Sequence, residues 1–227
     1  AVGEPVVVVG AMSNKGMGVI AKAGSDIRSV KDLKGKKVGI WPGSTQEEFI
    51  LERLKMEGLS VKDISSVRVP FGEMPAMLAR GDIDAYVGAE PGPGLSISTG
   101  AGQLVEYPYG TAMGGLNMIF ATHADTAAKN PDLVLAMLKT QRKAVEFMTE
   151  NTPAVVDMSV QKLGANRAAV DQALGARNVE YVWKLDDKVQ GQARTYAQHM
   201  LDLKQIRALP DFGKFLDPKF SNEIAAS

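Results

Sequence analysis

The sequence predicts an α/β fold, and three features predict it. Apolar runs of strand length alternate with amphipathic stretches of helix length through the first half of the chain. Glycine follows the helical stretches as a stop signal, at Gly58, Gly81, Gly164 and Gly175. Helix starts of the type Asn130-Pro131 and Thr152-Pro153 fall in the second half, which reads as mostly helical.

Val6–Met12 is an apolar, valine-rich run without a polar interruption, the pattern of a strand covered on both faces. A turn is expected at Ser13-Asn14-Lys15-Gly16, before a second apolar stretch, Met17–Lys22. Lys37–Trp41 is the next strand, and Pro42-Gly43-Ser44-Thr45 separates it from a helix that runs to about Glu57 and buries Phe49, Ile50 and Leu54. Ser66–Pro70 follows as a strand, Glu73–Arg80 as a short helix and Asp84–Ala89 as a strand. This succession implies a parallel sheet with right-handed crossovers. Glu90–Gly115 is rich in glycine and proline and reads as loop around one strand candidate, Gln103–Tyr107. Beyond the apolar run Leu116–Ala121, a long helix presents Leu133, Val134, Met137, Leu138, Val145 and Met148 on one face. A helix from Thr152, one from Asn166 to Leu174 and one from Asp186 to about Ile206 complete the chain, the last with Val189, Tyr196, Met200 and Leu203 inward.

Composition excludes several functions. The 227 residues carry 26 basic and 26 acidic side chains, a net charge of zero, which disfavours nucleic-acid binding and polybasic membrane attachment. There is no cysteine and only His123 and His199, so Cys/His metal sites and thiol nucleophiles are excluded, and the cysteine-free composition suits an oxidising compartment. No window approaches the ~18 apolar residues of a membrane span.

The most informative local feature is Gly39-Ile40-Trp41-Pro42-Gly43-Ser44-Thr45-Gln46-Glu47-Glu48, where a strand feeds a turn and Ser44 or Thr45 opens a helix. Its first amides suit an anion, while Ser44 with Glu47, or Thr45 with Glu48, equally fits a capping box. The two readings coexist, since a cap uses the hydroxyl and leaves other amides free. Gly16-Met17-Gly18-Val19-Ile20-Ala21 matches a dinucleotide fingerprint, but no helix follows it, so that reading is rejected. Glu90, before Pro91, stands at the C-terminal edge of the expected sheet, where a carboxylate receives a ligand ammonium or hydroxyl or simply lies in solvent. Tyr107–Gly115 lines a cleft, acts as a hinge or is a surface loop. No G-x-S-x-G elbow or H-E-x-x-H motif occurs, and the methionines fall mostly on apolar faces.

Ser29-Val30-Lys31-Asp32-Leu33-Lys34-Gly35-Lys36-Lys37-Val38-Gly39, then Gly43-Ser44-Thr45, Gly81-Asp82-Ile83-Asp84-Ala85 and Glu90-Pro91 occur in order. With these residues the chain resembles the nitrate/sulfonate/taurine-type family of ABC-transporter substrate-binding proteins, of the two-lobed type II periplasmic-binding fold. The resemblance implies one lobe from residues 1–17 and 119–227, lacking the strand–helix–strand–helix section that opens it in relatives, and a second lobe from 18–118. An incomplete lobe of this kind is expected to fold poorly alone, because its sheet would keep an open edge. The implied function is capture of a small organic acid, of sulfonate or carboxylate type, in an interlobe cleft by hinge closure. The cleft residues it implies are Ser13, Asn14, Lys15, Trp41, Gly43, Ser44, Thr45, Gln46, Phe71, Glu90, Tyr109 and Met113. The protein is then not an enzyme and needs no metal or cofactor. It is a monomer when full length, partnered by its ligand and a membrane permease, and sits in the periplasm or on the outer cell face, free or lipid-anchored. Two rivals share the fold. One is an enzyme of cofactor-precursor biosynthesis, although the thiamine-pyrimidine synthases that resemble this family carry a Cys-rich motif absent here. The other is the effector domain of a LysR-type regulator.

Overall fold

The structure, a computed structural model, describes residues 3–226. In chain order the first elements are β1 (Val6–Lys15), β2 (Met17–Lys22), β3 (Lys37–Ile40), α1 (Thr45–Met56), β4 (Ser65–Arg68), α2 (Met74–Arg80), β5 (Ala85–Ala89), α3 (Gly92–Ser98) and β6 (Gly102–Glu106). They are followed by β7 (Leu116–His123), α4 (Ala124–Lys129), α5 (Pro131–Glu150), α6 (Thr152–Leu163), α7 (Arg167–Gly175), β8 (Val179–Tyr181), α8 (Asp187–Asp202), α9 (Phe212–Phe215) and α10 (Lys219–Ala225). The α/β class read from the sequence is the one observed.

The chain divides into two compact units. One comprises the chain up to Asn14, Ala112–Asn151 and the residues from Glu180 onward; the other comprises Lys15–Thr111 and Thr152–Val179. This partition differs from the lobes 1–17 with 119–227 and 18–118, because α6 and α7 join the unit of the five-stranded sheet. The cause is a close helix crossing. Gly94 in α3 lies so near α7 that a Cβ on it would sit 2.3 Å from the Ala169 carbonyl oxygen, and Ala169 and Ala173 are themselves buried small residues. Only glycine permits that approach.

In the Lys15–Thr111 unit the strand order is β4-β3-β5-β2-β6. β3 runs parallel to both β4 and β5, as the β–α–β succession requires. β2 is antiparallel to β5 and to β6, so the sheet is mixed rather than wholly parallel. The handedness rule constrains strands joined by a crossover helix, and β2 follows β1 directly across Gly16. Apolar layers cover both faces. Phe49, Ile50 and Leu54 of α1 are buried as expected, and Ile50 and Leu54 pack with Val38, Ile40 and Val87, while Met74, Leu78 and Ile83 pack with Ile20 and Tyr86. Each such side chain contributes about 1.5–3 kcal/mol. Glu90–Gly115 is not all loop: α3 forms inside it, with a proline in its first turn and its glycine used for the contact with α7.

In the other unit the strand order is β7-β1-β8. β1 pairs antiparallel with β7 from Val6 opposite His123 to Asn14 opposite Leu116. That pairing holds Ser13 and Asn14 extended where a turn was expected; the break reduces to Lys15 and Gly16, at φ 60 and 78°. Val7, Val9, Val134, Leu138, Phe220 and Ile224 form the core. Val134, Leu138 and Val145 of α5 are buried as expected, whereas Leu133 and Met137 are 52% and 50% exposed. They sit one position, about 100° of rotation, from the line of Val134 and Leu138. Met137 borders an open apolar groove with Phe120, Ala136 and Ala144. Leu203, expected inward, lies just past the end of α8 and is exposed.

Candidate functional site

In the unit of the five-stranded sheet, the turn between β3 and α1 closes on itself. Ser44 is the N-cap: its Oγ accepts the Glu47 amide at 3.2 Å and donates to the Trp41 carbonyl at 2.7 Å. The Glu47 carboxylate accepts the Gly43 amide at 2.7 Å. The capping alternative is therefore realised, and it engages Gly43 and Ser44. The Thr45 hydroxyl donates to Gln46 Oε1 at 3.1 Å, and Gln46 is 4% exposed. Beside this turn the Arg68 guanidinium stands 4.8 Å from the Trp41 ring centroid. Trp41 and Phe71, the latter in a single turn of 3-10 helix, pack half-buried on the cluster of Met74, Ile83 and Tyr86. One cation, two aromatic faces and a helix entry thus share one edge of the unit.

A second constellation joins Glu90 and Tyr109, two of the sequence candidates, through a residue the sequence did not signal. Asn178, 1% exposed, donates from Nδ2 to Glu90 Oε1 at 2.7 Å and accepts the Tyr109 hydroxyl at Oδ1, 2.6 Å away. The other Glu90 oxygen accepts the Gly94 amide at 2.9 Å. The Tyr109 hydroxyl also lies 2.8 Å from the Met17 carbonyl and accepts the Met17 amide at 2.9 Å. Burial pushes the Glu90 carboxyl above the usual carboxylate range, while its two N–H donors pull it back. Burial, then the Glu90 charge, likewise raises the Tyr107 phenol. Tyr107 stacks on Tyr109 at 6.2 Å between centroids, and Phe49 of α1 meets Tyr109 edge-on at 6.2 Å. The Glu90–Pro91 peptide is cis. No spacing rule marks Asn178. Its only local sign is its place behind Arg177, at φ 51°, where α7 has ended and a buried amide is not expected.

The remaining candidates lie at the ends of β1 and β7. Ser13 is opposite Met118 and half-buried. Asn14 is 8% exposed, and its Oδ1 has no hydrogen-bonding partner among the described residues. Lys15 marks the passage into β2 with positive φ. Met113 is 1% exposed and packs as core. Within the unit of the five-stranded sheet, the Trp41 edge and the Glu90–Asn178–Tyr109 network offer aromatic faces, backbone and side-chain hydrogen bonds and one stacked cation.

Among the described residues no helix is long and apolar enough to cross a membrane. A protein of Haemophilus influenzae whose name assigns it to thiamine biosynthesis is 38% identical over 88 residues, 38% of this chain and 28% of that protein. A Bacillus subtilis protein named for binding aliphatic sulfonates is 25% identical over 185 residues, 80% of this chain and 54% of its own length. The chain therefore spans about half or less of these curated relatives. Among solved structures, the alkanesulfonate-binding protein SsuA of Xanthomonas axonopodis pv. citri, bound to MOPS, superposes with a TM-score of 0.78 at 23% identity. That match covers 92% of this chain and 72% of SsuA, and it shows that the two share the two-lobed binding-protein fold. The family described as NMT1/THI5 like matches residues 1–154, well over half of the sequence, and the chain belongs to that family.

Proposed function

We propose that the protein is the solute-binding component of an ABC importer and that it takes a small organic acid with a partly apolar body, a sulfonate or carboxylate. The observation that carries this reading is the edge at Trp41. There Arg68 supplies a positive charge, Trp41 and Phe71 supply apolar faces, and the first turn of α1 supplies amides of positive partial charge. An acid group and a short hydrocarbon body match that set, and the Glu47 carboxylate is engaged by the Gly43 amide. Relatives and structural neighbours named for sulfonate binding support the same class. In this reading the ligand favours a closed form of the two-lobed fold because it binds that form more tightly than the open one, and a membrane permease outside the cytoplasm accepts the loaded monomer. Micromolar affinity corresponds to about −8 kcal/mol, enough to distinguish loaded from empty protein.

Calorimetric titration with short alkanesulfonates, the matching carboxylates and nitrate tests this. Saturable binding of the organic acids and none of nitrate is expected; binding of nitrate alone overturns the ligand class. A second reading, an enzyme of cofactor-precursor synthesis, is favoured by the relative named for thiamine biosynthesis. Consumption of a bound precursor, read as a change in its mass, would establish that reading instead.

A further inference from the structure

The chain passes between the two units four times, between residues 14 and 15, 111 and 112, 151 and 152, and 179 and 180. Three of these passages leave the unit of the five-stranded sheet beside one group of hydrogen bonds, which lies wholly within that unit. Gly16 and Met17 stand just after the first passage, Tyr109 just before the second and Asn178 just before the last. The Met17 amide and carbonyl both bond to the Tyr109 hydroxyl, at 2.9 and 2.8 Å. Tyr109 in turn meets Asn178 Oδ1 at 2.6 Å, and the Asn178 carbonyl accepts the Gly16 amide. Each of the three segments is thus bonded to both of the others. Glu90 fastens the group to the end of β5: its amide donates to the Gly16 carbonyl at 2.9 Å, and its carboxylate accepts Asn178 Nδ2 at 2.7 Å. Asn178 is 1% exposed, and a buried polar network whose members are satisfied rigidifies what it joins.

We propose that Asn178 is a positioning residue that ties these three passages together and so narrows the range of arrangements open to the two units before ligand arrives. Glu90 and Tyr109 then serve the passages and not the ligand, since both Glu90 oxygens and the Tyr109 hydroxyl are engaged within the protein. The proposal deepens the binding reading above and rests on it for its effect on affinity. A narrower starting ensemble leaves the ligand less to order.

The chain has no cysteine, so two introduced thiols carry spin labels at chosen positions only. Leu133, 52% exposed on α5, and Leu163, 81% exposed at the end of α6, place one label on each unit. In the ligand-free protein carrying Leu133→Cys and Leu163→Cys, the distribution of label-to-label distances is expected to be narrow. It is expected to broaden with Asn178→Ala and with Tyr109→Phe, which keeps the ring against Phe49 and Tyr107 and removes only the hydroxyl. Asn178→Ala is also expected to weaken ethanesulfonate binding about fivefold, although Arg68 and Trp41 are untouched. A distribution already broad in the parent, or one as narrow in both variants as in the parent, overturns the proposal whatever stability is lost. Should Asn178→Ala not fold, Tyr109→Phe decides alone. A wild-type protein that binds neither short sulfonates nor short carboxylates overturns the binding reading, and the distances still decide the tie.

Discussion

Asn178, itself buried, serves two half-buried partners from a single amide, Glu90 through its nitrogen and Tyr109 through its oxygen. Asn178→Ala takes one of two partners from the Glu90 carboxylate and leaves the Tyr109 hydroxyl to Met17, and is expected to cost about 1–3 kcal/mol in urea unfolding. A loss below about 0.5 kcal/mol would show that water replaces the amide. Glu90 titrates against the usual sense. Burial raises its folded carboxyl above the ordinary value of 4.5, so the folded state binds this proton more tightly than the unfolded chain does. Its contribution therefore improves as pH falls through the raised value and is complete near 4.5. Asp26, Asp32 and Asp63 are held below 3.8, by the Lys36 side chain for Asp26, by the Arg28 amide and the Ser29 hydroxyl for Asp32, and by the Ser60 hydroxyl and amide for Asp63. Their contributions are lost only as pH falls below 3.8. Between about pH 7 and 4.5, wild type should therefore gain stability relative to Glu90→Gln, measured by denaturant unfolding at each pH; a constant difference would refute a raised Glu90. Glu90 and Tyr109 were legible as site candidates from their place after a strand and in a Gly-rich segment. Asn178 was not, because a polar residue just behind a helix carries no sign of burial until the partner element is known.

The elements that sequence resolves best are those whose ends are marked by chemistry. The helices starting at Thr45, Pro131, Arg167 and Asp187 each follow a residue of the capping class, and three of the four caps hold a side-chain bond to a first-turn amide. Ser44→Ala is expected to lower stability by about 1 kcal/mol with no ligand present, because its hydroxyl is engaged within the protein. If that variant leaves stability unchanged but abolishes acid binding, Ser44 is a ligand group and not a cap. The helix α3 was hidden by its glycine and proline content, which locally favours turns; its packing against α7 overrides the preference, a tertiary effect that no window of sequence contains. Gly94→Ala drives a methyl into the Ala169 carbonyl and should destabilise by about 1–3 kcal/mol. The same contact explains why the partition of α6 and α7 was not legible: their sequence shows helices and small residues, but not the glycine they approach. The antiparallel placement of β2 escaped for a related reason, since an apolar run reads alike in either direction.

At the scale of the whole molecule, zero net charge leaves local charge to decide what binds. Arg68 stacked on Trp41 is one such local charge, and Arg68→Gln is expected to weaken acid binding about fivefold at low salt, with the difference shrinking as salt is added. An unchanged affinity would move the acid group elsewhere. The family was legible from motifs spread over the first ninety or so residues, and the fold followed from it, whereas the ligand did not, because the groups proposed to hold it, Arg68, Trp41 and Phe71, come together only in the fold. The claim that governs the rest is that the protein holds its acid without altering it. Equilibrium dialysis against a short sulfonate, followed by mass spectrometry of the retained and free ligand, tests it most directly. Saturable retention of one ligand per chain, recovered at unchanged mass, is the expected result; a new species accumulating with time, or no retention at any concentration, would contradict it.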